Sequence, residues 1–147
     1  MNTIRISKEF TFEMAHALEG HDGKCANIHG HSYKLTVTVI GKPVSENGNP
    51  KLGMVMDYVD LKKILKEEIV DSHDHAVLLK DTHAIGLEDK YSLFKLIRTP
   101  YQPTCENMIA DFAQRIMKRL PVHIKLHSLR LRETATSYAE WFAEDNV

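Results

Sequence analysis

His16, Cys25, His29 and His31 stand close together near the start of the chain, the last three within Cys25-Ala26-Asn27-Ile28-His29-Gly30-His31. Neutral imidazole nitrogens are good zinc ligands, and three of them leave a four-coordinate ion one open position. An open position separates a catalytic metal from a structural one. Cys25, four residues ahead of His29, then has two readings. It is a base or nucleophile beside the metal, or it is the fourth ligand of a closed His₃Cys structural site. A ligated thiolate resists alkylation, whereas a free thiolate near a cation is reactive.

Two further places combine residue types that can do chemistry. In Asp71-Ser72-His73-Asp74-His75 a carboxylate next to an imidazole can fix its tautomer and raise its basicity. Asp74 and His75 are the candidate acid–base pair, with His73 a competitor or a bystander; the plain alternative is a polar turn after a helix. Glu133 falls on the apolar face of a late strand, where an unpaired charge is costly. Its partner is Arg130 or Arg132, or a ligand with two parallel N–H donors such as a guanine-like or pterin ring. Cys105 opens a helix, where a thiol pKa can be lowered, but small residues are common there for packing. Tyr138 and Trp141 read as core or subunit contacts.

The elements that must position these groups follow from periodicity. Ile4, Ile6, Phe10, Phe12, Met14 and His16 occupy alternate positions against polar neighbours, the pattern of a half-buried strand. His29, His31, Tyr33, Leu35, Val37 and Val39 do the same in a second strand, so His29 and His31 share a face. Antiparallel pairing brings His16 to them. Turn formers fill Gly41 to Gly53, and Asp57 then caps a helix carrying Leu61, Ile64, Leu65 and Ile69. A second helix follows Pro103, with Thr104 as N-cap and a stripe of Met108, Ile109, Phe112, Ile116, Met117 and Leu120. The stretch from Asp71 to Gln102 is poorly periodic, with a short strand around Phe94 to Arg98. Strands return around Leu129 to Glu133 and Tyr138 to Phe142. The expected fold is α+β over residues 1–147 as a single domain, an antiparallel sheet with two helices on one face in the order ββααββ. Such a sheet leaves a face and edges uncovered, which points to oligomerisation.

Composition excludes several functions. With a formal charge of −1 over 147 residues, nothing suggests broad attraction to nucleic acid or an anionic membrane. No apolar run approaches the roughly 20 residues that span a bilayer, and the N-terminus lacks a signal-peptide pattern. Two cysteines make no disulfide framework. A cytoplasmic location is expected.

Taken in order, these segments resemble the 6-pyruvoyltetrahydropterin synthase superfamily, and most of all the bacterial 6-carboxytetrahydropterin synthases of queuosine biosynthesis. The resemblance runs through Phe10-Thr11-Phe12-Glu13-Met14-Ala15-His16, Cys25 to His31, Gly53 to Lys62, Asp74-His75, Pro103 to Asn107, and Glu133-Thr134. The three residues between Cys25 and His29 match the bacterial carboxy type; animal pyruvoyl-type enzymes have a longer gap. The resemblance implies a tunnelling fold and a homohexamer of two stacked trimers with active sites at subunit interfaces. It implies zinc on His16, His29 and His31, with Cys25, Asp74 and His75 catalytic. It further implies that Glu133, Thr104 and Cys105 meet a pterin triphosphate substrate. Lys24, Lys34 and His21 are candidates for the triphosphate. Two departures stand out: the usual Leu-Asp-His-x-x-Leu-Asn reads His73-Asp74-His75-Ala76-Val77-Leu78-Leu79, and Asp81 to Gln102 is longer than in the shortest members. A sister pyruvoyl-type synthase or related dihydropterin side-chain lyase, and more remotely a non-enzymatic zinc-stabilised oligomeric binding protein, are the alternatives.

Overall fold

A computed structural model describes residues 1–84 and 94–147. Strand β1 (Ile4–His16) pairs antiparallel with β2 (His29–Gly41) in a register that sets Phe10 against Leu35, Phe12 against Tyr33 and His16 against His29. Opposed residues point the same way, so the alternating apolar sets of both strands form one buried face. The other face carries paired polar groups instead: the Ser7 and Thr38 hydroxyls at 2.7 Å, Lys34 on Glu9 at 2.8 Å, and Ser32 donating to Glu13 at 2.6 Å.

Strand β5 (Lys125–Thr134) adds antiparallel to β2, and β6 (Ser137–Phe142) adds antiparallel to β5. Beyond β1 lie β3 (Ala76–Lys80) and β4 (Lys95–Thr99), each parallel to its neighbour. The sheet therefore reads β4-β3-β1-β2-β5-β6. The α+β class stands, but the expected order ββααββ is corrected to ββαββαββ, and one edge of the sheet is parallel. The physical reason is plain at β3. Ala76, Leu78 and Leu79 are all buried, so the strand has an unbroken apolar run without alternation. The short strand expected near Phe94 is β4. Residues 85–93 of the long Asp81 to Gln102 stretch lie outside the described residues.

Helix α1 (Tyr58–Leu65) starts where Asp57 Oδ1 accepts from Val59 N–H at 2.9 Å. It widens through one π-turn (Lys66–Val70) into a last turn, α2 (Asp71–His73). Helix α3 (Cys105–Met117) starts where the Thr104 hydroxyl accepts from Asn107 N–H at 3.2 Å. Its stripe of Met108, Ile109, Phe112 and Ile116 is buried with Leu61, Leu65 and Ile69 of the first helix against Phe12, Leu35, Val37, Leu129 and Leu131 of the sheet. The described helices therefore cover one face of the sheet and not the polar one. No described helix is long and apolar enough to cross a membrane.

Candidate metal centre

His16 ends β1 and His29 begins β2, and the register opposes them; His31 follows two positions on, on the same face. One ring nitrogen from each of the three lies within 4.8 Å of the others. His16 Nδ1–H donates to Pro103 O at 2.7 Å, and His29 Nδ1–H donates to Asn27 O at 2.7 Å. A carbonyl oxygen only accepts, so each ring carries its proton on Nδ1 and presents a bare Nε2. Those two Nε2 atoms stand 3.1 Å apart. Two lone pairs at that distance repel unless a cation sits between them. A tetrahedral ion with bonds of about 2.0–2.1 Å spaces its ligands by about 3.3 Å. The carbonyl partners orient the rings as outer-shell groups do around bound metals. Burial holds the pKa of His16 and of His31 below the ordinary imidazole value, against the opposite pull of Glu133. Burial thus favours the neutral forms of His16 and His31, and three imidazoles suit a borderline-soft divalent ion.

Glu133 completes the inner wall. Arg132 pairs with Tyr138 and Thr134 with Ser137, so Glu133 is the extra residue of a β-bulge. Its Oε1 lies 3.4 Å from His16 Nε2 and 3.6 Å from His31 Nε2. Tyr33 donates its hydroxyl to the same oxygen at 3.3 Å. Tyr33 is 1% exposed, stacked on Phe12 with ring centroids 5.3 Å apart, and burial pushes its pKa upward, so it remains a donor. Among the described residues neither candidate arginine pairs with Glu133. Arg130 binds Glu140 at 3.2 Å, Arg132 donates to Ala135 O, and both guanidiniums lie over the Tyr138 ring. The carboxylate therefore borders a cavity of about 490 Å³ lined by Cys105, Glu106, Ser137, Tyr138 and Glu140. Burial pushes the Cys105 thiol up to about 12, and it donates to Leu131 O at 3.3 Å. It is a protonated thiol, opposite to what its helix terminus suggests.

Cys25 sits in a single 3₁₀ turn (Lys24–Ala26), half-buried, with Leu18 N–H donating to its carbonyl at 2.8 Å. Among the described residues the ligand cluster holds the three histidines and not Cys25. Of the triphosphate candidates, Lys34 is on the polar face with Glu9, whereas Lys24 and His21 belong to the cysteine loop.

Asp74 and His75 do form a pair, His75 Nδ1–H donating to Asp74 Oδ1 at 3.0 Å. The same oxygen accepts from Glu13 N–H at 2.9 Å, which holds the Asp74 carboxyl below its ordinary pKa. His75 N–H donates to Glu13 O at 2.5 Å, and this clamp keeps His75 at φ +64°, a left-handed backbone uncommon for a side-chain-bearing residue. Lys95 secures the turn by donating to Asp71 O at 2.8 Å and Asp74 O at 3.3 Å. The pair nevertheless lies on the polar face. The His75 side chain, 78% exposed, borders a groove formed mainly by Glu13, Ala15, Gly30, Ser32 and Val77, which alternate away from the three candidate ligands, with Met14, His31 and Ala76 also reaching its lining. Within one chain it does not join them. His73 is a core residue: 1% exposed, edge-on to Phe112 at 5.1 Å, with Nδ1–H on Ile69 O at 2.8 Å and Nε2 without a partner among the described residues.

Sequence reasoning missed Tyr33, whose place two positions past His31 puts it on the ligand face. It also missed Pro103, whose contribution is a carbonyl with no side-chain signal.

A family model described as 6-pyruvoyl tetrahydropterin synthase matches residues 5–144. A Haemophilus influenzae protein named 6-carboxy-5,6,7,8-tetrahydropterin synthase is 41% identical over 144 residues, covering 94% of this chain and 98% of its own. A Synechocystis protein of the same name is 36% identical over 139 residues, covering 94% and 92%. The Caenorhabditis elegans 6-pyruvoyl tetrahydropterin synthase structure superposes with a TM-score of 0.69 at 24% identity, covering 97% of both chains. The Plasmodium falciparum enzyme structure gives 0.70 at 21% identity, covering 95% and 96%. At those identities the structures establish the fold.

Proposed function

The chain belongs to the 6-pyruvoyl tetrahydropterin synthase family, and on that premise we propose that it is a zinc-dependent 6-carboxytetrahydropterin synthase of queuosine biosynthesis. It takes 7,8-dihydroneopterin triphosphate and water to 6-carboxytetrahydropterin, acetaldehyde and triphosphate. The observation that carries this is the pair of bare Nε2 atoms 3.1 Å apart, with Glu133 beside them at the edge of a cavity. Full-length relatives named for the carboxy product support the choice within the family.

Bound to His16, His29 and His31, zinc supplies Lewis acidity and a template for the hydroxyls of the substrate side chain. Glu133, held by Tyr33, accepts two parallel N–H bonds from the pterin ring. Thr104 and Cys105 border that ring. Cys25, as thiolate, moves protons on the side-chain carbons. Asp74, kept ionised by Glu13, holds the His75 proton on Nδ1 and leaves Nε2 free to exchange protons with the hydroxyls and to assist loss of triphosphate. Because the pair faces away from its own chain's histidines, it serves the site of a neighbouring copy, in a homohexamer with composite sites at subunit interfaces. The enzyme is cytoplasmic.

The test is incubation of zinc-loaded protein with 7,8-dihydroneopterin triphosphate, with products identified by mass spectrometry. The carboxy product with acetaldehyde is expected. A pyruvoyl product transfers the chain to the sister activity. No turnover, with Cys25 inert to alkylation, makes the site structural and refutes the proposal.

A further inference from the structure

Gln102 has no part in the chemistry above, yet its side chain behaves like a neighbouring strand. Its Oε1 accepts from Glu19 N–H at 2.9 Å, and its Nε2 donates to Glu19 O at 2.8 Å. One carboxamide therefore satisfies both peptide groups of a residue that lies beyond the described strand ladders. The ladder of β1 with β3 ends at His16 and Leu78, and that with β2 ends at His16 and His29. The Glu19 side chain is held too, accepting from the Thr82 hydroxyl at 2.7 Å.

From Glu19 the chain runs out to Cys25 and returns to Leu18, whose N–H donates to Cys25 O at 2.8 Å. The base of the cysteine loop is thus tied at two consecutive residues, Leu18 by the loop's own far side and Glu19 by Gln102. Gln102 is itself anchored: its carbonyl accepts from Thr104 N–H at 2.8 Å and from Asn107 Nδ2 at 3.0 Å at the start of α3. The next residue, Pro103, offers the carbonyl that orients His16. Two adjacent residues so address both halves of the site, one through its backbone and the other through its side chain.

We infer that Gln102 is the positioning residue for Cys25: its carboxamide, locked on the Glu19 peptide, sets where the cysteine loop stands relative to the three histidines. The inference rests on the proposed role of Cys25 as proton carrier. A displacement of about 1 Å at a reacting group can cost up to about a hundredfold in rate, so the loop's anchorage carries rate without touching substrate.

Gln102→Ala and Gln102→Glu, each as the full-length zinc-loaded protein, test it. Glutamate keeps the acceptor for Glu19 N–H but sets a carboxylate oxygen against Glu19 O, so it separates a lost contact from lost volume. In both variants zinc content stays at the wild-type level. We expect kcat to fall about tenfold to a hundredfold with KM changed by less than about twofold. The rate of Cys25 alkylation by iodoacetamide, followed by peptide mass mapping with and without zinc, rises severalfold. A residue that only supports folding would lower thermal stability and move neither ratio. If both folded variants keep the wild-type kcat and alkylation rate, the inference fails. Cys25→Ala distinguishes the two failures. Turnover that survives in it overturns the base assignment and the inference together; turnover lost in it but intact in the Gln102 variants overturns the inference alone.

Discussion

The proposed composite site makes a quantitative prediction for mixtures of variants, each expected to be inactive alone. His75 borders the polar face of the sheet, whereas His16, His29 and His31 converge on the other. If each site takes Cys25 from one chain and His75 from a neighbour, Cys25→Ala and His75→Ala can complement each other. Each variant alone is inactive, and neither loses a metal ligand, so both retain zinc. When equal amounts are unfolded together, refolded with zinc and allowed to assemble at random, half the sites receive an intact Cys25. Half of those receive an intact His75 from the adjoining chain, so about one quarter of wild-type turnover returns. The assay is product formation per mole of zinc, compared with each variant refolded alone. Were both groups drawn from one chain, no chain in the mixture would hold both, and nothing would return. Absence of recovery in assemblies shown to contain both variants refutes the argument from opposed faces.

Tyr33→Phe removes one hydroxyl and keeps the stack on Phe12; a bond to a charged acceptor is worth about 1.5–3 kcal/mol, and its 3.3 Å length places it at the low end, so kcat/KM falls about tenfold. Because burial holds the Tyr33 proton, that loss is expected to be the same from neutral to mildly alkaline pH. Chelation leaves the His16 and His29 lone pairs opposed, so apo protein melts at a lower temperature and zinc restores it. Since burial lowers the pKa of His16 and His31, zinc is retained on acidification until pH falls below the ordinary imidazole range, which dialysis followed by metal analysis measures. His73 is neutral in the fold with a depressed pKa, so its share of stability is complete above about pH 6.5 and is lost as pH falls toward the folded value. Urea unfolding of zinc-loaded His73→Phe at several pH values should show a shallower loss of stability in acid than wild type. Phe112→Ala, which opens a cavity beside Phe12 and His73, should cost about 3–5 kcal/mol by the same measurement.

Periodicity in the sequence was enough to bring the three candidate metal ligands together. Side chains alternate along a strand, so His29 and His31 had to share a face, and His16 at the end of an alternating run had to join them once the strands paired. Caps at Asp57 and Thr104 and the stripes behind them marked both helices, because those signals are local. β3 was not legible: Ala76, Val77, Leu78 and Leu79 run together, three of the four buried, and carry neither period. The tautomers of His16 and His29 depend on carbonyls of Pro103 and Asn27, and a carbonyl has no residue signature. Glu133 was suspect from its apolar setting, but only the bulge and the Tyr33 hydroxyl decided that it turns to the histidines and not to Arg130 or Arg132. Asp74 and His75 were legible as a pair and silent as to face, since the clamp by Glu13 that turns them away spans 61 residues of sequence. Residue types and short-range spacing therefore determined which groups are candidates to hold a metal and to move a proton. Tertiary structure alone decided which of them meet, because register, bulges and backbone carbonyls act between segments that the sequence keeps far apart.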